Sequence, residues 1–119
     1  MARRRRGNAN EMVTIYWADI PAQVSGQVGA NKHRVLLSPR FQVAIDRAAA
    51  VAGKTDTDPY TAEWRRVETP LDPEAVTDLE ATVQAAADQL EQDHPRDRLE
   101  ALVANGGDDE ATQPTGDTP

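Results

Sequence analysis

The stretch Met12–Leu37, MVTIYWADIPAQVSGQVGANKHRVLL, decides the fold. Its opening run, Met12–Trp17, is rich in β-branched and aromatic residues and reads as a strand. Val13, Ile15 and Trp17 then fall on one face, Thr14 and Tyr16 on the other. Asp19-Ile20-Pro21 punctuates it. After that Ala22, Val24, Gly26 and Val28 alternate with Gln23, Ser25 and Gln27, the period of a half-buried strand. Gly29-Ala30-Asn31-Lys32 supplies a turn, and His33–Leu37 is the returning strand of a hairpin.

Beyond the hairpin the period changes. Ser38-Pro39 has the form of a helix start, Ser as N-cap and Pro at the first helical position. Phe41, Ala44, Ile45, Ala48 and Ala52 follow as one apolar stripe expected to face the sheet, and Gly53 suits a left-handed end. Asp58-Pro59 opens a short helix in which Tyr60 and Trp64 lie one turn apart. Arg65–Thr69 is expected as a short fourth edge strand, the alternative being a helix that continues through Arg66. Asp72-Pro73 opens a longer helix to about Gln92, with Val76, Leu79, Val83, Ala86 and Leu90 as a short heptad seam. Pro95 stops that helix, and residues 96–104 form a last one. The expectation is an α+β domain: a small antiparallel sheet of three or four strands, one packed helix, a short helix and a C-terminal helical pair at residues 72–104.

The ends read differently. Residues 1–11 are expected to be a disordered basic arm, residues 12–104 the single domain, and residues 105–119 a disordered acidic tail, because neither end carries apolar surface to offset ordering entropy. Met12 directly precedes the first strand, so initiation there would make the arm an extension. Residues 1–66 hold 11 Lys/Arg against 6 Asp/Glu, and residues 67–119 hold 2 Arg against 14 Asp/Glu, within a net charge of −7. Arg outnumbers Lys 11 to 2, a bias that fits either a GC-rich genome or a salt-adapted source.

Three segments carry a resemblance: YWADIPAQV (Tyr16–Val24), PRFQVAIDRAA (Pro39–Ala49) and DPYTAEWRR (Asp58–Arg66). In this order they resemble a small bacterial and archaeal family of "virulence factor" domain proteins. The resemblance covers roughly residues 12–68. It implies companionship with one-carbon proteins such as folate-linked methyl-transfer and corrinoid proteins. It supplies no catalytic residues to carry across.

Apart from that resemblance, the side chains themselves limit the chemistry. With no cysteine, disulfides, thiolate metal sites and Cys nucleophiles are excluded. His33 and His94 come from different elements, and a His-based metal site needs two or three convergent ligands. No metal or cofactor is expected. Asp19 reads as a turn acceptor for backbone N–H groups, with general base as the alternative. Asp46 is placed to pair with Arg65 or Arg66. No phosphate-cradling glycine loop and no nucleophile elbow occurs, so catalysis by the chain alone is not expected. Arg3, Arg4, Arg5 and Arg6 form a basic cluster suited to phosphate contacts, the nucleic-acid alternative, although no aromatic interleaves them.

Tyr16, Trp17, Asp19, Tyr60, Trp64, Arg65 and Arg66 are the candidate interaction surface, because aromatics and Arg dominate protein interfaces. The competing reading puts Trp17 and Trp64 in the core. Tyr16 and Trp17 are neighbours on a strand and cannot both enter a one-sided core, so one of them is covered by the helical pair or by a partner. The function expected is that of a non-catalytic accessory protein with a protein partner. Ligand binding through Asp19, Arg65 and Arg66 is a further alternative. No apolar run is long enough for a bilayer, and the cytoplasm is the expected compartment.

Overall fold

In the computed structural model, residues 10–109 are described. Four strands, β1 (Glu11–Trp17), β2 (Ile20–Val28), β3 (Asn31–Leu36) and β4 (Trp64–Pro70), make one antiparallel sheet in the order β3-β2-β1-β4. Four helices accompany them: α1 (Pro39–Ala52), α2 (Thr57–Ala62), α3 (Leu79–Asp93) and α4 (Arg96–Ala104). The fold is α+β.

The first three strands follow from local chemistry. β1 and β2 meet through the turn Ala18-Asp19, where Ala18 takes a left-handed φ of 54°. Ala18 is held there by its N–H donating to the Glu63 carbonyl at 2.9 Å. The β1–β2 register shifts between Ile15 and Tyr16, which pair with Gln23 and Pro21, so Ala22 is the unopposed residue of a bulge. Gly29, at φ 60°, turns β2 into β3.

α1 begins at Pro39 and ends at Gly53, whose φ of 72° is the left-handed conformation glycine tolerates. Ser38 stands at the N-cap position but does not cap with its side chain. Its N–H and Oγ both donate to the Glu91 carboxylate on α3, at 2.7 and 2.9 Å. A charged acceptor makes the stronger hydrogen bond and takes the hydroxyl from its local role.

Several expectations are corrected. The helix lying across β2 and β3 is α3, while α1 packs chiefly on α4 and β2. α3 starts at Leu79 behind an Asp78 cap, whose carboxylate accepts from the Ala81 N–H. Asp72-Pro73 makes a turn instead, with the Glu74 N–H on Asp72 Oδ1, and Val76 lies outside the helix. Asp56, not Asp58, stands at the N-cap position of α2, without a side-chain cap, and the helix ends at Ala62, so Trp64 opens β4 opposite Trp17. β4 spans the fourth-strand position as a full strand. Glu11, assigned to the arm, is the first residue of β1.

Within residues 105–109, assigned to the tail, Gly106 and Gly107 are buried. Residue Gly107 accepts from the Asp19 N–H at 2.9 Å. The disorder expected for the rest of the arm and tail falls on residues 1–9 and 110–119, outside the described residues.

The core gathers Trp17, Ile20, Val24, Phe41, Ile45, Val83 and Leu102, with the small residues Ala44, Ala48 and Ala87 letting the helices approach. Among the described residues no helix is long and apolar enough to cross a membrane.

Candidate functional site

The sheet separates the sequence-predicted surface into parts. Trp17 is fully buried. Its indole N–H donates to the Tyr60 carbonyl at 2.8 Å, and the Tyr60 ring lies 5.5 Å away. Trp17 is therefore core and offers nothing to a partner. Tyr60 in turn meets Trp64 edge-on at 6.0 Å.

Tyr16, Asp19 and Arg65 do come together. Tyr16 pairs with Arg65 across β1 and β4, and the guanidinium sits 4.6 Å from the phenol ring centre. Arg65 donates Nε–H to the Ala18 carbonyl at 2.9 Å and bonds Asp19 Oδ1 at 2.8 Å. Asp19 Oδ2 accepts the Asp109 N–H at 2.7 Å, and Asp109 holds Arg98 at 2.6 Å. Asp19 is thus a backbone acceptor, but for a residue far along the chain rather than for its own turn.

These groups line a cleft of about 360 Å³ with Leu90, Asp93 and His94. Burial raises the Tyr16 phenol above its ordinary value, with Arg65 opposing in part, so the hydroxyl stays protonated at neutral pH. Both guanidiniums are occupied by carboxylates. The chemistry is that of a latch joining β4, the β1–β2 turn and the segment after α4. The C-terminal helical pair contributes Leu90, Asp93, His94 and Arg98 to the cleft that Tyr16 lines.

Arg66 is not part of this cluster. It alternates with Arg65 along β4 and pairs with Glu68 at 2.8 Å and Glu11 at 3.6 Å. The structure therefore does not bring Arg66 together with Asp19 and Arg65. Asp46 meets neither arginine and accepts instead from Gln42 at 3.0 Å. His33 and His94 line separate clefts. His94 is buried, its Nδ1 2.8 Å from the Leu90 carbonyl. Among the described residues no group of three or more His, Asp and Glu could hold a metal ion. Arg3–Arg6 lie outside the described residues.

Trp64 marks a different place. With Ile15, Gln23, Leu36, Pro39 and Phe41 it lines a groove of about 550 Å³ where the other sheet face meets the start of α1. The groove walls are mainly apolar, and Leu36 at its rim is 66% exposed. α3 covers the opposite face: the missing Cβ of Gly26 points at Val83, while Ser25 and Gln27 alternate to the far side. Beside Leu36, Lys32 and Arg34 share its side of β3, both exposed and neither in an ion pair or side-chain hydrogen bond among the described residues. Sequence reasoning missed Lys32, Arg34 and Leu36. Their alternation, two cations and a leucine on the outward positions of the last hairpin strand, was the available signal.

Comparison with known proteins places the chain in context. A family model described as virulence factor matches residues 15–103. No curated protein and no solved structure matches.

Proposed function

The chain belongs to the virulence factor family, and from that premise we propose that it is a non-catalytic accessory protein that holds a protein partner on the open end of its sheet. The observation that carries the reading is the groove beside Leu36: a large aliphatic side chain 66% exposed next to Ile15, Phe41 and Trp64. Exposed apolar surface contiguous with a half-buried tryptophan is the usual anchor of a protein interface. Supporting it, the polar cluster at Tyr16, Asp19 and Arg65 has its charges tied to one another, which suits a latch better than a reacting centre.

The partner class we propose is a methyl-transfer protein of folate or corrinoid chemistry, on the strength of the resemblance carried by Tyr16–Val24, Pro39–Ala49 and Asp58–Arg66. The test is a native capture with the full chain and with Leu36→Glu, using Val51→Glu on the exposed side of α1 as control. Recovery of a methyl-transfer protein by the wild type and the control, lost with Leu36→Glu, supports the reading. Equal recovery by all three removes the groove, and recovery of no methyl-transfer protein removes the one-carbon partner.

A further inference from the structure

β3 is an edge strand: it pairs with β2 on one side only. Among the described residues, its backbone makes no hydrogen bond other than to β2. An unpaired edge is a template for another strand, and proteins normally blunt such edges with proline, bulges or charged side chains, lysine above all. The opposite edge, β4, is blunted in that way. It ends at Pro70, which has no N–H to donate.

β3 has no proline. Its positions on the face away from α3 read Lys32, Arg34, Leu36. In a chain of net charge −7, these are two neighbouring cations that no carboxylate among the described residues has taken. The acidic side chains of α3 cannot serve them, because α3 lies on the other face. Lysine on an edge strand repels a second basic edge, and the same charge invites an acidic one.

We propose that β3 is the edge on which the partner docks: an extended acidic segment adds to it as an antiparallel fifth strand. This deepens the reading above and rests on it. The alternation of strand side chains sets the recognition pattern. Running antiparallel to β3, the segment reads Leu-x-Glu-x-Glu or its chemical equivalent. The apolar side chain packs on the outer side of Leu36 at the rim of the groove, and the two carboxylates meet Arg34 and then Lys32. Main-chain hydrogen bonds supply affinity, and the two charges and the groove supply register.

The probe is a short fluorescein-labelled peptide containing Leu-Thr-Glu-Thr-Glu, read by anisotropy against the full chain. A control of the same composition carries its glutamates side by side. The patterned peptide is expected to bind about tenfold more tightly than the control, and K32E/R34E to lose about tenfold. A Leu-Thr-Lys-Thr-Lys peptide is expected to bind that variant and not the wild type. Its binding also shows that the variant is folded.

Equal affinity for both glutamate peptides overturns the strand register. Competition by a thymidine oligonucleotide that outlasts the peptide overturns the peptide class in favour of a nucleic acid. Self-association lost with K32E/R34E overturns it in favour of a second copy. If K32E/R34E still captures the methyl-transfer partner at wild-type yield while the peptide fails to bind, the edge is wrong and the groove reading stands.

Discussion

The Cγ2 methyl of Val83 lies 2.6 Å from where a Cβ on Gly26 would stand, and Leu79 Cδ1 lies 3.1 Å from it. The glycine is therefore a seat for α3 rather than a conformational device. Gly26→Ala forces the helix or its side chains to move and is expected to cost about 1–3 kcal/mol, the range for overpacking a core. The urea midpoint reads the loss. Combined with Val83→Ala, which frees the same space, the two costs are expected to be less than additive.

Trp17 and Trp64 report different environments. Trp64→Phe leaves Trp17 alone, and its emission is expected to be blue-shifted and poorly quenched by iodide, as for a fully buried indole. Trp17→Phe leaves half-buried Trp64, expected to be readily quenched. The same Trp17→Phe change removes the hydrogen bond to the Tyr60 carbonyl and is expected to lower stability by about 1 kcal/mol or more.

Truncation separates tail from domain. A chain ending at Ala104 loses the Gly107 carbonyl from the Asp19 N–H and the Asp109 contacts to Asp19 and Arg98. It also uncovers Trp17 and Ala18, which lie about 3 Å from where a Cβ on Gly107 would stand. Its stability, read by thermal denaturation against the full chain, is expected to fall by on the order of 2 kcal/mol.

Glu91 makes stability pH-dependent. Burial works against its charge, but the N–H and hydroxyl of Ser38 and the guanidinium of Arg40 outweigh that and hold the carboxyl below its ordinary 4.5. The folded chain then binds this proton less readily than the unfolded one. The stabilisation is fully present above about 4.5 and is lost as pH falls through the lower folded value. Glu91→Gln is expected to be less stable at neutral pH and to show a flatter decline of its urea midpoint into acid.

Much of the architecture was legible because its causes are local. Period-two alternation gave β1 and β2, Ser38-Pro39 and Gly53 bracketed α1, and turn chemistry at Gly29 closed the hairpin. Helix starts were less legible: Asp72-Pro73 and Asp78 offer competing caps, and only burial of Leu79 and Val83 against β2 chooses the second. The candidate surface was legible as a set of residue types and not as a place. Tyr16 and Arg65 share a face because β1 pairs with β4, and Arg66 leaves them by one step of the pleat.

By itself the sequence determined the element types, the helix ends marked by Pro39 and Gly53, the lack of thiol chemistry and the family. These depend on dihedral preference, side-chain period and composition, which neighbouring residues impose on one another. Only the tertiary structure decided the order β3-β2-β1-β4, the burial of Trp17, the packing of Gly106 and Gly107, and the exposure of Leu36 beside two cations that pair with no described carboxylate. Each of those depends on which distant segment arrives to cover a residue, and no local preference encodes that arrival.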